Sequence, residues 1–278
     1  MSRKLIIFIT LCFLIISNSC NTAKEIVGSD KSNTTATDNN RICLEIKEKL
    51  VPRQYEGSND SSIISIITGE SIDTIPEWCF SRIPSLKEVI IQGSGIVVEP
   101  NAFYACKNLQ KAFLDNVIKC GESAFKMTSI DSISLMRCEY IEDFAFANCN
   151  SLCYVILSDS LKRIGDFAFF SDTTLVKVNV PEGQIGCCSF MGCSKLKDVK
   201  LGNVTVIGES AFLDCTSLCE ITIPESVLEI RSEAFAGCSN LKVVRVTSRQ
   251  TIIANNAFDS NTIIKYKNSL VSTKNLDD

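Results

Sequence analysis

Fifteen cysteines and no histidine bound the chemistry open to this chain of 278 residues. Without imidazole there is no Ser-His-Asp triad, no Cys-His pair and no His-ligated metal. Cysteine remains as a nucleophile, a ligand or a cross-link. Cys187-Cys188 followed by Cys193 makes a C-C-x4-C spacing, which differs from the C-x2-C pairs that zinc takes. No metal and no cofactor is expected. Five cysteines, Cys106, Cys149, Cys193, Cys215 and Cys238, recur at one register. One register repeated points to small, reduced, buried thiols that fill gaps rather than to pairing. The carboxylates of Glu122, Asp143, Asp166 and Glu209 recur in register too, which suits solvated capping better than acid–base work. No GxxxxGK[ST] or GxGxxG run is present, so neither phosphate-binding loop is available. These observations argue against an enzyme.

The elements that position these side chains follow from a repeat. Aligned on phenylalanine, the copies centre on Phe80, Phe103, Phe125, Phe146, Phe169, Phe190, Phe212, Phe235 and Phe258, spaced 21 to 23 residues apart. A fixed period in the low twenties marks a solenoid, one small unit stacked many times. Ala precedes the Phe in seven of the nine copies. Five residues before it stands an aliphatic such as Ile141 or Ile207, with Cys120 taking that place in the third copy. Six residues after it comes Leu, and then alternating aliphatics, as in Val155 and Leu157 or Ile221 and Ile223. That alternation predicts one short strand per coil with one side inward. Turn formers such as Pro181, Gly202 and Pro224 follow. The acidic residue three before the Phe suits the start of a brief helical turn, from which Ala and Phe would pack inward. Cys153 and Cys219 each follow the strand Leu and should face solvent, three coils apart and beyond bridging distance.

The copy running from Ile207-Gly208-Glu209-Ser210-Ala211-Phe212 to Leu218-Cys219-Glu220-Ile221-Thr222-Ile223-Pro224 closely resembles the leucine-rich repeats of the BspA-like (treponemal) class. The resemblance covers about residues 61 to 266. It implies an α/β leucine-rich-repeat solenoid: a curved parallel sheet with one strand per coil and short helical or irregular returns. It also implies an adhesin-like surface protein that binds another protein, such as host extracellular matrix or a cell-surface protein. Two other readings stand beside it, a carbohydrate-binding accessory protein and a structural part of the cell envelope. The one tryptophan, Trp78, sits beside Pro76 in the first coil, where capping is a better account than sugar binding.

The ends complete the plan. Residues 1–20 have a basic start, an apolar run from Leu5 to Ile16 and small residues before Cys20, the form of a secretory signal. The placement of Cys20 resembles a lipobox, so the expected location is the cell surface, lipid-anchored through Cys20 in the bacterial outer membrane. Residues 21–40 are polar and predict a flexible tether. Residues 41–70 form the expected N-terminal cap, with a helix from Asn40 to Leu50 on the spacing of Ile42, Ile46 and Leu50. The array occupies 71–266, and 267–278 form a closing tail. A net charge of −4 and the lack of a basic stripe speak against nucleic acid; a monomer is expected.

A repeat framework leaves recognition to the strand positions between the buried aliphatics. In the early coils these are Ile90, Phe113, Tyr154 and Ile156, candidate apolar anchors. In the late coils they include Lys177, Lys200 and Arg245, with Lys197 and Lys242 nearby, candidate basic steering for an acidic partner.

Overall fold

The computed structural model describes residues 34–37, 41–47 and 49–267. The signal segment with Cys20, most of the tether and the tail from 268 lie outside the described residues. In chain order the first strands are β1 (Thr34–Thr37), β2 (Arg41–Ile46), β3 (Ile63–Thr68), β4 (Thr74–Ile75), β5 (Glu88–Ile90) and β6 (Ile96–Val98). Then come β7 (Lys111–Phe113), β8 (Val117–Cys120), β9 (Ser132–Leu135), β10 (Tyr140–Ile141), β11 (Tyr154–Leu157) and β12 (Arg163–Ile164). The rest are β13 (Lys177–Ile185), β14 (Asp198–Ile207), β15 (Glu220–Ile223), β16 (Glu229–Ile230), β17 (Val243–Val246), β18 (Ile252–Ile253) and β19 (Ile263–Tyr266).

The fold is a leucine-rich-repeat solenoid, as the repeat predicts, and each coil carries two parallel ladders rather than one. The main ladder runs β2-β3-β5-β7-β9-β11-β13-β14 and continues as the separate set β15-β17-β19. The second runs β4-β6-β8-β10-β12 through the distal ends of β13 and β14 to β16 and β18. Strands β13 and β14 run without a break through both ladders; in β13 the connector from Val180 to Ile185 is two residues shorter than that from Leu157 to Ile164. The aliphatic five before the Phe forms the second ladder, so its side chain closes the core from the other side: Ile75, Val98, Cys120, Ile141, Ile164 and Ile207 are all fully buried.

Between the ladders the chain returns through successive tight turns, and no helix occurs among the described residues. Residues two before the Phe, such as Asn101, Ser123, Phe144 and Phe167, take φ of 54–58°. Residues two after it, such as Ala105, Met127, Asn148 and Asp214, take φ of 56–62°. The left-handed residues break any helical run and share out the backbone donors. Phe103 N–H reaches Ala124 O of the next coil at 2.8 Å, while Tyr104 N–H closes a turn within its own coil onto Asn101 O at 3.0 Å. Phe125, Phe146, Phe190 and Phe212 repeat the intercoil bond, each at 2.8 Å, so the buried backbone is satisfied coil by coil.

Inside, the rings form one column. Adjacent phenylalanines from Phe103 to Phe258 stack with centroids 5.0–5.5 Å apart and planes within 8°. That separation approaches the spacing of neighbouring strands, so identical residues at one register meet face over face. Tyr55 extends the column by stacking on Phe80 at 5.3 Å, which makes residues 51–58 an abbreviated first coil.

The cap differs from its expected form. Arg41–Ile46 is a strand, not part of a helix, and pairs parallel with β3. Leu44 and Ile46 are buried whereas Cys43 and Glu45 are half-buried. The same residues fit a period of two once Leu44 is counted, and the open edge of β3 supplies backbone partners that a helix would leave unpaired. Thr34–Thr37, within the stretch expected as tether, turns back and pairs antiparallel with β2. Trp78 ties cap to array: the guanidinium carbons of Arg53 and Arg82 each lie 5.2 Å from its ring centre, and Tyr104 meets it edge-on at 5.6 Å.

Candidate interaction face

Three columns of polar groups show what the repeat can do chemically. The cysteine column is a hydrogen-bond ladder as well as packing. Cys106 Sγ donates to Phe80 O of the preceding coil at 3.0 Å. Cys149, Cys193, Cys215 and Cys238 do the same to Phe125, Phe169, Phe190 and Phe212 at 3.1–3.2 Å. Burial pushes these thiols up, Cys106 and Cys238 to about 12, which removes the thiolate that nucleophilic chemistry needs. Cys153 and Cys219 are exposed, as their register predicts.

Asp172 takes the ladder position in the coil of Phe169. It is fully buried, and its Oδ1 accepts from Cys149 N–H at 2.7 Å. Its Oδ2 is buried without a partner. Desolvation raises the carboxyl well above its ordinary range, against the lowering effect of the Cys149 N–H.

The acidic column caps backbone, but of the neighbouring coil rather than of a helix in its own. Asp143 Oδ1 accepts from Asp166 N–H at 2.8 Å, and Asp166 Oδ1 from Cys187 N–H at 2.9 Å. Arg163 lies among these carboxylates, 3.2 Å from Asp143 and 3.6 Å from both Glu142 and Asp166. A neighbouring groove is lined by Glu99, Lys119, Glu122, Glu142 and Asp143, where Lys119 pairs with Glu142 at 2.9 Å and carboxylates outnumber the one lysine.

The outer surface of the main ladder holds the seven candidate residues. Strand register sets them in two rows. One row runs Ser65, Glu88, Lys111, Ser132, Tyr154, Lys177 and Asp198. The other places Ile67, Ile90 and Phe113 on successive strands, with Ser134 and Ile156 paired further on. Ile90, Phe113 and Ile156 are half-buried, and Tyr154 is 49% exposed. Ile90 and Phe113 are brought together; Tyr154 and Ile156 sit two strands beyond Phe113, across Ser132 and Ser134.

Lys177, Lys200 and Arg245 also face outward, but they do not make a basic patch. Lys177 Nζ lies 2.7 Å from Asp198, whose carboxylate raises the ammonium, and Arg245 lies 2.7 Å from Glu220. Asp198 is the register partner of Lys177 one coil away, whereas Glu220 lies two residues before Thr222, the register partner of Arg245, so that pair crosses the ladder diagonally. Arg245 belongs to the separate β15-β17-β19 set, far along the array from Lys177.

Two features escaped the sequence reading. Ile67 extends the apolar row into the cap, pairing with Ile90, and the aliphatic run Ile63–Ile67 was the available signal. On the return side, Phe144 stacks on Phe167 at 4.8 Å, Phe170 meets Phe167 edge-on, and Lys126 lies 4.4 Å from the Phe144 ring centre. A second Phe two residues before the aligned one in these two copies was the available signal.

The chain belongs to the BspA type leucine rich repeat family, whose signature matches it in six copies across residues 54–176 and 139–265. Solved structures with a similar fold include a leucine rich cell surface protein from Faecalibacterium prausnitzii, 19% identical, with 89% of this chain and 96% of that one covered at a TM-score of 0.40. A leucine-rich repeat protein from Bacteroides ovatus is 20% identical, with 88% and 100% covered at a TM-score of 0.34. The leucine rich repeat protein of T. pallidum is 19% identical, with 87% and 86% covered at a TM-score of 0.32. No curated protein matches the chain.

Proposed function

We propose that this protein is displayed at a bacterial cell surface and binds another protein through the early coils of its main ladder. The observation that carries the reading is the apolar row Ile67–Ile90–Phe113 on three neighbouring strands, continued by Tyr154 and Ile156. A rigid ladder presents such side chains with little entropy left to lose on docking, and aromatic anchors contribute disproportionately to protein interfaces. Lys200 and Arg245 lie beyond this row; with Arg245 held by Glu220, the late coils contribute spacing and solubility more than attraction.

Export by residues 1–20 and lipidation of Cys20, which would anchor the chain in the outer membrane, belong to the same proposal. Mass spectrometry of the mature N-terminus from membranes tests them. A diacylglyceryl-cysteine at Cys20 supports the anchor, and an unmodified N-terminus removes it. Binding is tested by presenting the chain to a panel of purified extracellular-matrix proteins and to a glycan array. Saturable binding to a protein, weakened by changes at Phe113 and Tyr154, supports the reading; binding to glycans alone overturns it.

A further inference from the structure

The return side carries a surface of its own, away from the main ladder. Its outward positions are the residues two before, one after and two after each aligned Phe. In the coils of Phe146 to Phe212 the first two of these rows hold Phe144, Phe167, Phe170, Met191 and Leu213, all half-buried. Phe170 meets Phe167 edge-on at 5.7 Å, which ties the two rows together. Ser171 N–H reaches Met191 O and Gly192 N–H reaches Leu213 O, both at 2.8 Å, so Phe170, Met191 and Leu213 follow one another on neighbouring coils. The Phe column fills the core beneath, and the stripe above it stays partly in water as one continuous patch rather than as scattered side chains.

Charge is divided between the two ends of this stripe. The outward positions of the coils of Phe80, Phe103 and Phe125 hold Arg82 and Lys126 and no carboxylate. Those of the coils of Phe212, Phe235 and Phe258 hold Asp214, Glu233 and Asp259 and no base. Arg82 is paired with Glu56 at 3.3 Å. Lys126 Nζ lies over the Phe144 ring, and among the described residues neither Lys126 nor Glu233 joins an ion pair. Glu122 and Asp143, close to Lys126 in the chain, turn to the second ladder and line the groove there. A surface that is basic, then apolar, then acidic is complementary to itself turned end for end.

We propose that the protein pairs with a second copy of itself, return side to return side, about a two-fold axis between the coils of Phe169 and Phe190. This pairing takes the place of the monomer expected from sequence. The axis sets the coil of Phe125 against the coil of Phe235 in the second copy, so Lys126 meets Glu233 at both ends of the interface. Across the axis Phe167 and Phe170 meet Met191, a sulfur–aromatic contact. The main ladder stays uncovered in both copies, and a pair can hold a repetitive partner at two sites.

The full chain, in detergent-solubilised membranes of expressing bacteria, is treated with a water-soluble carbodiimide, which joins an amine to a carboxylate in contact with it. Lys126 and Glu233 of one chain stand five coils apart, about 24 Å at the spacing of neighbouring strands, so a direct bond between them joins two copies. The expected product is a band of twice the chain mass whose digest contains Lys126 bonded to Glu233. Lys126→Glu, a change outside the core, should abolish that band in a chain whose circular dichroism is that of the parent. Lys126→Glu with Glu233→Lys should restore it, with amine and carboxylate exchanged. A parent chain that stays monomeric, a dimer in which Lys126 is left free, or Lys126 bonded to a different protein overturns the assignment. So does a folded charge-exchanged chain that fails to regain the bond.

Discussion

The two sides of the main ladder's strands are built on opposite rules. On the inner side the coils repeat one another: phenylalanine stacks on phenylalanine within 5.5 Å, and five ladder cysteines each donate to a phenylalanine carbonyl of the preceding coil. On the outer side no residue type is kept along the whole array. The row that begins Ile67, Ile90, Phe113 becomes Asn179 and Lys200 in β13 and β14. Stacking identical coils demands sameness only of atoms that meet a neighbouring coil in the core. The outer positions are released from that demand, so they are where selection for a partner can act.

The sharpest break of this contrast is a change on the inner side. Phe146 is fully buried between Phe125 and Phe169. Phe146→Ala should cost about 3–5 kcal/mol, read as a lowered urea midpoint, and because each coil leans on its neighbours the transition should also broaden.

Asp172 tests the inner side in the other direction. Its carboxyl binds its proton more tightly folded than unfolded, so the folded chain holds the extra proton between the ordinary aspartate range near 4 and the raised value. Stability from this group is therefore full at acid pH and falls as pH rises through that window. Asp172→Asn keeps an acceptor for Cys149 N–H and removes the titrating proton. It should flatten the decline, as denaturation across pH would show.

The outer side should answer weakly. Arg245→Ala removes an exposed ion pair with Glu220 and should cost about 0.2–1 kcal/mol, diminishing further in high salt. A larger loss would mean that the late coils depend on charge in a way their exposure contradicts.

What was legible in the sequence follows the same division. The Phe column, the Ala beside it, the Cys register and the strand aliphatics all repeat, and they are buried as their period requires, with exceptions such as Leu201, Phe258 and Ile264, which are half-buried. The second ladder was hidden because two-residue strands such as Tyr140–Ile141 are too short to show alternation. The return was mistaken in part for a helical turn, since left-handed φ at residues such as Phe144 and Phe167 leaves no compositional trace when glycine is absent. Asn40 to Leu50 fitted both periods, and the edge of β3 decided between them. The outer rows were placed correctly by register, but the pairing of Lys177 with Asp198 depends on reach between coils, which spacing within one coil does not reveal.

The central claim, that recognition belongs to the apolar early coils, is tested most directly by Phe113→Ser with Tyr154→Ser in one chain. Both side chains point away from the core, so the urea midpoint should shift little. Affinity for the matrix protein bound by the parent chain, measured by surface plasmon resonance, should fall at least about tenfold, equivalent to roughly 1.4 kcal/mol. An unchanged affinity in a folded double variant would contradict the account.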